Sequence, residues 1–253
     1  MPTGHKSQII VPDWPLPSHV KAFSTTRSSG VSQGVYCSNN LALHVGDSEV
    51  DVLKNRALLC ENYVLPSEPH WLNQTHSTKI VKVEKRVEPN QLPINADASF
   101  SMKRHEVCVV MTADCLPVLL CDKSGTQVAA IHAGWRGLLN GIIEKTRQEF
   151  SMHGKDIIAW LGPAIGSNAF EVGPEVRDSF LEKDSSASIA FQSHKKDKWL
   201  ADIYMLARLR LNRCGIEAVY GGDFCTFSDE TLFYSYRRDG VCGRMASLIW
   251  LDK

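Results

Sequence analysis

Three apolar runs lie almost end to end between residues 107 and 132: Val-Cys-Val-Val-Met-Thr (107–112), Leu-Pro-Val-Leu-Leu-Cys (116–121) and Gln-Val-Ala-Ala-Ile-His (127–132). Their apolar positions are not confined to alternate residues, so each reads as a central strand covered on both faces. Strands of this kind interspersed with helical patterns predict an α/β fold. The 253 residues, 43% of them apolar, can close a full core, and neither an internal repeat nor a linker composition divides them. A single domain over residues 1–253, with a core at about 20–251, is therefore expected.

Around these runs the pattern is readable element by element. Residues 20–26 and 79–84 have strand character, and a helix is expected from Gly46-Asp47-Ser48 to about Asn62. Pro89, Asn90, Pro93 and Asn95 predict a loop over 85–97. A helix is expected to begin near Arg136, with Leu138, Leu139, Ile142, Ile143 and Phe150 on one face and Gly154 as its terminating C′ residue. Further along, a strand at 156–161, a helix at 174–182, a flexible polar loop at 183–188, a helix at 200–213 and strands at 216–220 and 246–251 complete the reading.

The ends of the apolar runs carry the chemistry. Met-Thr-Ala-Asp-Cys (111–115) and Ala-Ile-His-Ala-Gly-Trp-Arg-Gly (130–137) bring Cys115 and His132 to the margin of a sheet, and Asn-Gln-Thr-His-Ser (73–77) supplies His76. Taken singly, a histidine is more often a satisfied polar residue and a cysteine a small buried hydrophobe. Together, His76, Cys115 and His132 make a three-ligand set with one position left for water or substrate, the pattern of catalytic zinc. Cys115 could equally be a thiol nucleophile with His76 or His132 as its base, since both roles need a thiolate beside imidazole.

Asp114 precedes the cysteine and is a candidate catalytic acid or base, or a group that orients a ligand. The helix start after His132 offers unpaired N–H groups to an anion, and Arg136, Arg237 and Arg238 are candidate phosphate-binding residues, Arg136 being a candidate catalytic residue as well. Structural ion pairs of these arginines with Asp114, Glu171 or Asp239 are the competing reading.

Charge and composition narrow the partners. Lys plus Arg and Asp plus Glu each number 28, and no long run of Lys or Arg appears, so nucleic acid is not an expected ligand and a small molecule is. The eight cysteines are scattered in a chain too long to need staples, which favours reduced thiols. No apolar run approaches the roughly 20 residues of a membrane span, and the polar beginning lacks the features of an export signal. A cytoplasmic monomer, without membrane association, is the expectation. There is no P-loop, dinucleotide fingerprint, His-Glu-x-x-His or Cys-x-x-Cys, and Gly30-Val31-Ser32-Gln33-Gly34 lacks the following helix that a nucleophile elbow requires.

Several longer blocks then acquire a common meaning. Gln-Thr-His (74–76), Ala-Asp-Ala (96–98), Thr-Ala-Asp-Cys-Leu-Pro-Val-Leu-Leu, Ile-His-Ala-Gly-Trp-Arg-Gly, Leu-Gly-Pro-Ala-Ile-Gly, Phe-Glu-Val-Gly and Tyr-Ser-Tyr-Arg-Arg-Asp-Gly-Val-Cys-Gly-Arg-Met-Ala resemble, in order from about Phe23 to Trp250, the laccase-domain or polyphenol-oxidase family of the YfiH/YlmD kind. The resemblance implies a four-layer α/β/β/α sandwich and zinc on His76, Cys115 and His132, with copper as the alternative ion. It implies phosphorolysis of purine nucleosides (adenosine, inosine, guanosine and 5′-methylthioadenosine), with adenosine deamination as a second reaction. In the deamination a metal-activated water would attack C6 of adenine and a carboxylate, with Asp114 nearest by sequence, would move the proton. Copper-dependent oxidation of phenols and a cysteine-dependent amidase editing peptidoglycan precursors are the alternatives. A multicopper oxidase needs several histidine-rich centres, yet of nine histidines only His76 and His132 fall in the matching blocks, with His44 the one further candidate.

Overall fold

The three runs form strands in the computed structural model, which describes residues 9–85 and 92–252. Two of them, Leu116–Asp122 and Val128–Ala133, are antiparallel neighbours with every residue buried. They sit in the middle of a six-stranded sheet ordered Ala218–Gly221, Ile157–Leu161, Leu116–Asp122, Val128–Ala133, Ala98–Ser101 and Ile80–Lys82. The third run, Cys108–Thr112, belongs to a separate four-stranded sheet, beside Met245–Leu251, Val20–Thr25 and Ile9–Ile10.

The period of two in each strand explains the stacking. One set of side chains, including Leu119, Cys121, Val128, Ala130 and Trp160, meets Cys108, Val110, Ile249 and Leu251 of the smaller sheet. The alternate set, including Val118, Leu120, Ile131 and Ala159, packs under the helices Trp135–Leu139, Ile142–Glu149 and Ile203–Arg213. On the far side, Phe23, Val109, Leu248 and Trp250 bury against Leu41 and Leu59, the latter from helix Glu49–Tyr63. The result is helix, sheet, sheet, helix: an α/β fold of four layers. Each fully buried Leu or Ile in these seams contributes about 1.5–3 kcal/mol relative to exposure.

Local chemistry sets the helix ends. Ser48 accepts from the Asp51 N–H at the start of Glu49–Tyr63, and Asp202 accepts from the Met205 N–H at the start of Ile203–Arg213. Among the described residues no helix is long and apolar enough to cross a membrane.

Several expectations need correction. The helix expected from Arg136 to Phe150 is two helices, because Asn140 closes the first and Gly141 adopts φ +86°, a left-handed conformation that interrupts the helical backbone. Gly154 does not end a helix; Phe150 is the C-cap, and Gly154 starts a short 3₁₀ turn. The polar stretch 183–188 is not a flexible loop. Asp184 caps a 3₁₀ helix, Ser185–Ala190, that buries Ala187 and Ala190.

The segment expected as a helix from 200 starts instead as strand Trp199–Ala201, which pairs with Phe191–Ser193 and Glu171–Val172. Of the loop at 85–97, residues 86–91 lie outside the described residues, while Ile94–Asn95 pairs in parallel with Leu72–Asn73.

Gly154 is buried because a neighbouring turn lies against it: a Cβ added there would overlap the Cys214 carbonyl oxygen and come within 2.7 Å of the Gly215 carbonyl carbon. Both obstacles are backbone and cannot swing aside. Gly154→Ala is expected to destabilise the fold by about 1–3 kcal/mol, read as a lowered midpoint in urea unfolding; an unchanged midpoint would show that the turn yields freely.

Candidate metal centre and substrate cavity

The register of the central hairpin delivers the first two donors. Leu116 pairs with Ala133 and Pro117 with His132, so the next position outward sets Cys115 opposite Gly134. A Cβ on residue 134 would stand 3.0 Å from Cys115 Sγ and 3.0 Å from His76 Cδ2. Glycine at this position therefore leaves room for the sulfur and the imidazole to approach each other.

His76 comes from the loop after strand Leu72–Asn73, and two side chains hold that loop. Gln74 pairs with the Met111 backbone like an extra strand residue: its Nε2 donates to Met111 O at 2.8 Å and its Oε1 accepts from Met111 N at 2.7 Å. Asp97 lies beneath the loop, fully buried. Its Oδ1 accepts from His132 Nδ1 at 2.8 Å and from the His76 N–H at 3.0 Å, and its Oδ2 accepts from the Ser77 N–H and Oγ, both at 2.6 Å. His76 itself has φ +58° and Asp114 has φ +88°, strained backbone for residues with side chains.

The three donor atoms of His76, Cys115 and His132 lie within 4.8 Å of one another. Cys115 Sγ is 3.8 Å from His76 Nε2, and the two imidazoles meet edge to face with centroids 4.9 Å apart. Zinc–sulfur and zinc–nitrogen bonds of about 2.3 and 2.05 Å at a tetrahedral angle separate sulfur from nitrogen by about 3.6 Å. The sulfur-to-His76 spacing thus fits a tetrahedral divalent ion with little adjustment. Because His132 Nδ1 is engaged by Asp97, its Nε2 is the nitrogen left to serve as a donor.

Charge is already organised at this point. Burial opposes ionisation of Cys115, but the field of His132 and hydrogen bonds from both imidazoles outweigh it and push the thiol below its ordinary value. Burial likewise opposes a charged His132, and the Cys115 thiolate followed by Asp97 pushes it upward. For Asp97 the same burial cost is overcome by hydrogen bonds from His132 and Ser77, which hold the carboxyl at about 2.

A cavity of about 440 Å³ opens over the cluster, a size suited to a small molecule. Trp135, Phe170 and Tyr236 give it aromatic walls, and Arg136, Arg237 and Arg244 give it cationic ones. His44 also faces it, from the short 3₁₀ helix Leu43–Val45, whose flanks are tied down by Asn40 Nδ2 donating to Asp47 and Asn55 Nδ2 donating to Asn40 O, each at 2.9 Å. Burial, then Arg244 and Arg56, push the His44 imidazole downward.

The sequence-derived candidates do not all arrive here. Arg136 and Arg237 do: Arg136 stacks over Trp135 at 4.4 Å, and Arg237 donates from Nη1 to Glu171 O at 2.8 Å. Arg238, expected to bind phosphate, is not among the cavity residues, because its guanidinium is consumed by the Asp239 carboxylate and by the carbonyls of Thr226, Phe227 and Phe233. The helix after His132, offered as an anion site, has only five residues, too few for a large summed dipole.

Asp114 lines the cavity, but its Oδ1 accepts from Thr226 Oγ1 and its Oδ2 from the Arg237 N–H, both at 2.6 Å. The carboxylate that orients a candidate ligand is Asp97. Sequence reasoning did not assign a role to Asp97, Gln74 or Arg244. A signal existed for Asp97, a lone acid inside the apolar Ala-Asp-Ala-Ser-Phe run, but its partners are remote in the chain.

Comparison with known proteins assigns the chain to a family. Residues 21–252 match the family described as multi-copper polyphenol oxidoreductase laccase. The chain is similar to proteins named purine nucleoside phosphorylase YfiH from Shigella flexneri, at 52% identity, and from Escherichia coli K12, at 51%. Each alignment covers 97% of this chain and 99% of the relative. Its fold is similar to the crystal structure of a Neisseria meningitidis protein, with a TM-score of 0.91 and 48% identity over 97% of this chain and 99% of the other. With sequence and fold matched along nearly their whole length, the chain belongs to the laccase-domain family of YfiH-like proteins.

Proposed function

We propose that the protein is a zinc-dependent purine nucleoside phosphorylase, converting adenosine, inosine, guanosine or 5′-methylthioadenosine and phosphate to the free base and sugar 1-phosphate. The observation that carries this reading is the meeting, in one cavity, of a thiol and two imidazoles with the guanidiniums of Arg136, Arg237 and Arg244. Such a cavity has one place for a borderline-soft cation and another for an oxyanion. The relatives named as phosphorylases support the same activity.

In this mechanism the arginines bind phosphate and aim one of its oxygens at the anomeric carbon. A new C1′–O bond forms as the C1′–N9 bond breaks, and the electron pair departs with the purine ring. Holding both reactants in one cavity converts an encounter into a positioned reaction. Fixed guanidinium donors stabilise the charge that moves during it. Arg237 is well suited to this, since its bond to Glu171 O holds the side chain in place before phosphate arrives. Trp135, Phe170 and Tyr236 offer flat apolar surfaces to the base and limit the space for competing water. Zinc held by His76, Cys115 and His132 would supply a Lewis acid at the cavity wall.

Deamination of adenosine is proposed as a second reaction of the same cavity, with Asp114, whose two oxygens each accept one hydrogen bond, as the carboxylate nearest to shuttle the proton. The alternatives are less well served. Multicopper oxidation of phenols needs several metal centres, whereas His76, Cys115 and His132 make the one ligand cluster found among the described residues. A thiol amidase would take Cys115 as nucleophile, His132 as base and Asp97 as the carboxylate that orients it, but the second imidazole, His76, at the same sulfur has no part in that scheme, whereas a metal accounts for all three. Free cysteines throughout accord with work in the cytoplasm, and the proposed reaction requires the cavity of one chain only.

Three outcomes test the reading. Hypoxanthine release from inosine is expected to require added phosphate and to yield ribose 1-phosphate; release at an equal rate without phosphate would identify a hydrolase. The purified protein is expected to carry about one zinc per chain, and His132→Ala to lose both the metal and the activity; a metal-free, fully active enzyme would end the zinc proposal. Arg237→Ala is expected to lower kcat/KM for phosphate by about 10- to 100-fold, the loss of one charge-assisted contact, with metal content unchanged. A variant with normal phosphate kinetics would remove Arg237 from the mechanism.

A further inference from the structure

Both imidazoles of the proposed metal centre are built on one carboxylate. Asp97 has no solvent exposure, and every group facing its two oxygens is a donor: His132 Nδ1 at 2.8 Å, the backbone N–H groups of Thr75, His76 and Ser77 at 3.3, 3.0 and 2.6 Å, and the Ser77 hydroxyl at 2.6 Å. The contacts do two separate things. The bond to His132 fixes which ring nitrogen carries hydrogen and turns Nε2 toward Cys115. The bonds to residues 75–77 hold the loop while His76 sits at φ +58°, a left-handed conformation uncommon for a residue with a side chain.

We infer that Asp97 is the positioning residue of the metal centre, holding the imidazoles of His76 and His132 in coordinating pose before any ion arrives. The inference rests on the proposed metal site and concerns how that site is made. Its chemical content is specific to a carboxylate. An asparagine has the same shape but must turn an NH₂ group toward one of these donors, leaving two N–H groups opposed and one acceptor position lost. The main chain of residue 97 does a different job: its N–H donates to Lys79 O at 3.0 Å and its carbonyl accepts from His132 N at 2.7 Å. Those bonds survive a side-chain substitution, so the strand stays in place while the ligands lose their support.

The experiment compares the full-length protein with its Asp97→Asn variant, titrating zinc against a chromophoric chelator and recording the visible absorption of the cobalt-substituted forms. The expected result is a loss of about 10- to 100-fold in zinc affinity, with altered cobalt ligand-field bands. A purely structural role would lower the unfolding midpoint of the metal-free protein but leave affinity and cobalt spectrum alone, and that result overturns the inference. Should the variant fail to fold, nitrogen NMR of the zinc-loaded wild type decides. His132 bearing its hydrogen on Nδ1 and the metal on Nε2 supports the assignment; the opposite arrangement overturns it. Wild-type protein that binds no zinc at all overturns the metal reading together with this inference, whereas normal zinc binding by both proteins overturns the inference alone.

Discussion

The structure depends on one hairpin, Leu116–Asp122 paired with Val128–Ala133, in which every side chain is buried on one face or the other. Because neither face can be given to water, each must be covered; here a second sheet covers one and helices the other, which gives the four layers. The same pairing register brings the reactive residues together. Extending it by one position beyond Leu116 and Ala133 sets the thiol of Cys115 against the bare backbone of Gly134, and His132 lies one residue inside. Core packing and the candidate chemistry are therefore two consequences of one alignment.

At the margin of this rigid unit the usual rules of the interior are broken in a coordinated way. His76 and Asp114 occupy left-handed backbone, a buried aspartate stands among apolar neighbours, and a thiol and an imidazole bias each other toward charge. Each departure is compensated nearby. Asp97 has donors for all its accepting capacity at this face, Gln74 repairs the edge of strand Cys108–Thr112, and Asp114 is held by Thr226 and Arg237. Local strain held in place by a dense hydrogen-bond set is what a preorganised site requires, because little then has to move when a ligand binds.

The legible part of the fold was the part governed by short-range pattern. The buried strands, the Ser48-capped helix and the body of the helix that ends at Arg213 all announce themselves within ten or fifteen residues. What escaped depended on partners far away. Gly154 resembles a helix terminator until the Cys214–Gly215 turn is found against it, and Trp199–Ala201 resembles a first helical turn until its strand partners at 171–172 and 191–193 are known. The polar run at 183–188 misled in the same way, because its aspartate caps a turn that buries two alanines.

For the candidate site, the chain itself determined the donor types: one thiol, two imidazoles and a surplus of arginines, each beside small or flexible residues. Only the tertiary structure decided which of them meet. It placed Arg237 at the cavity and spent the adjacent Arg238 on Asp239 and three carbonyls, a distinction invisible in a pair of identical neighbours. It also put Asp97 rather than Asp114 behind the imidazoles. The physical reason is that a side chain's role is set by the direction and occupancy of its hydrogen bonds, and those are properties of residues brought together from across the chain.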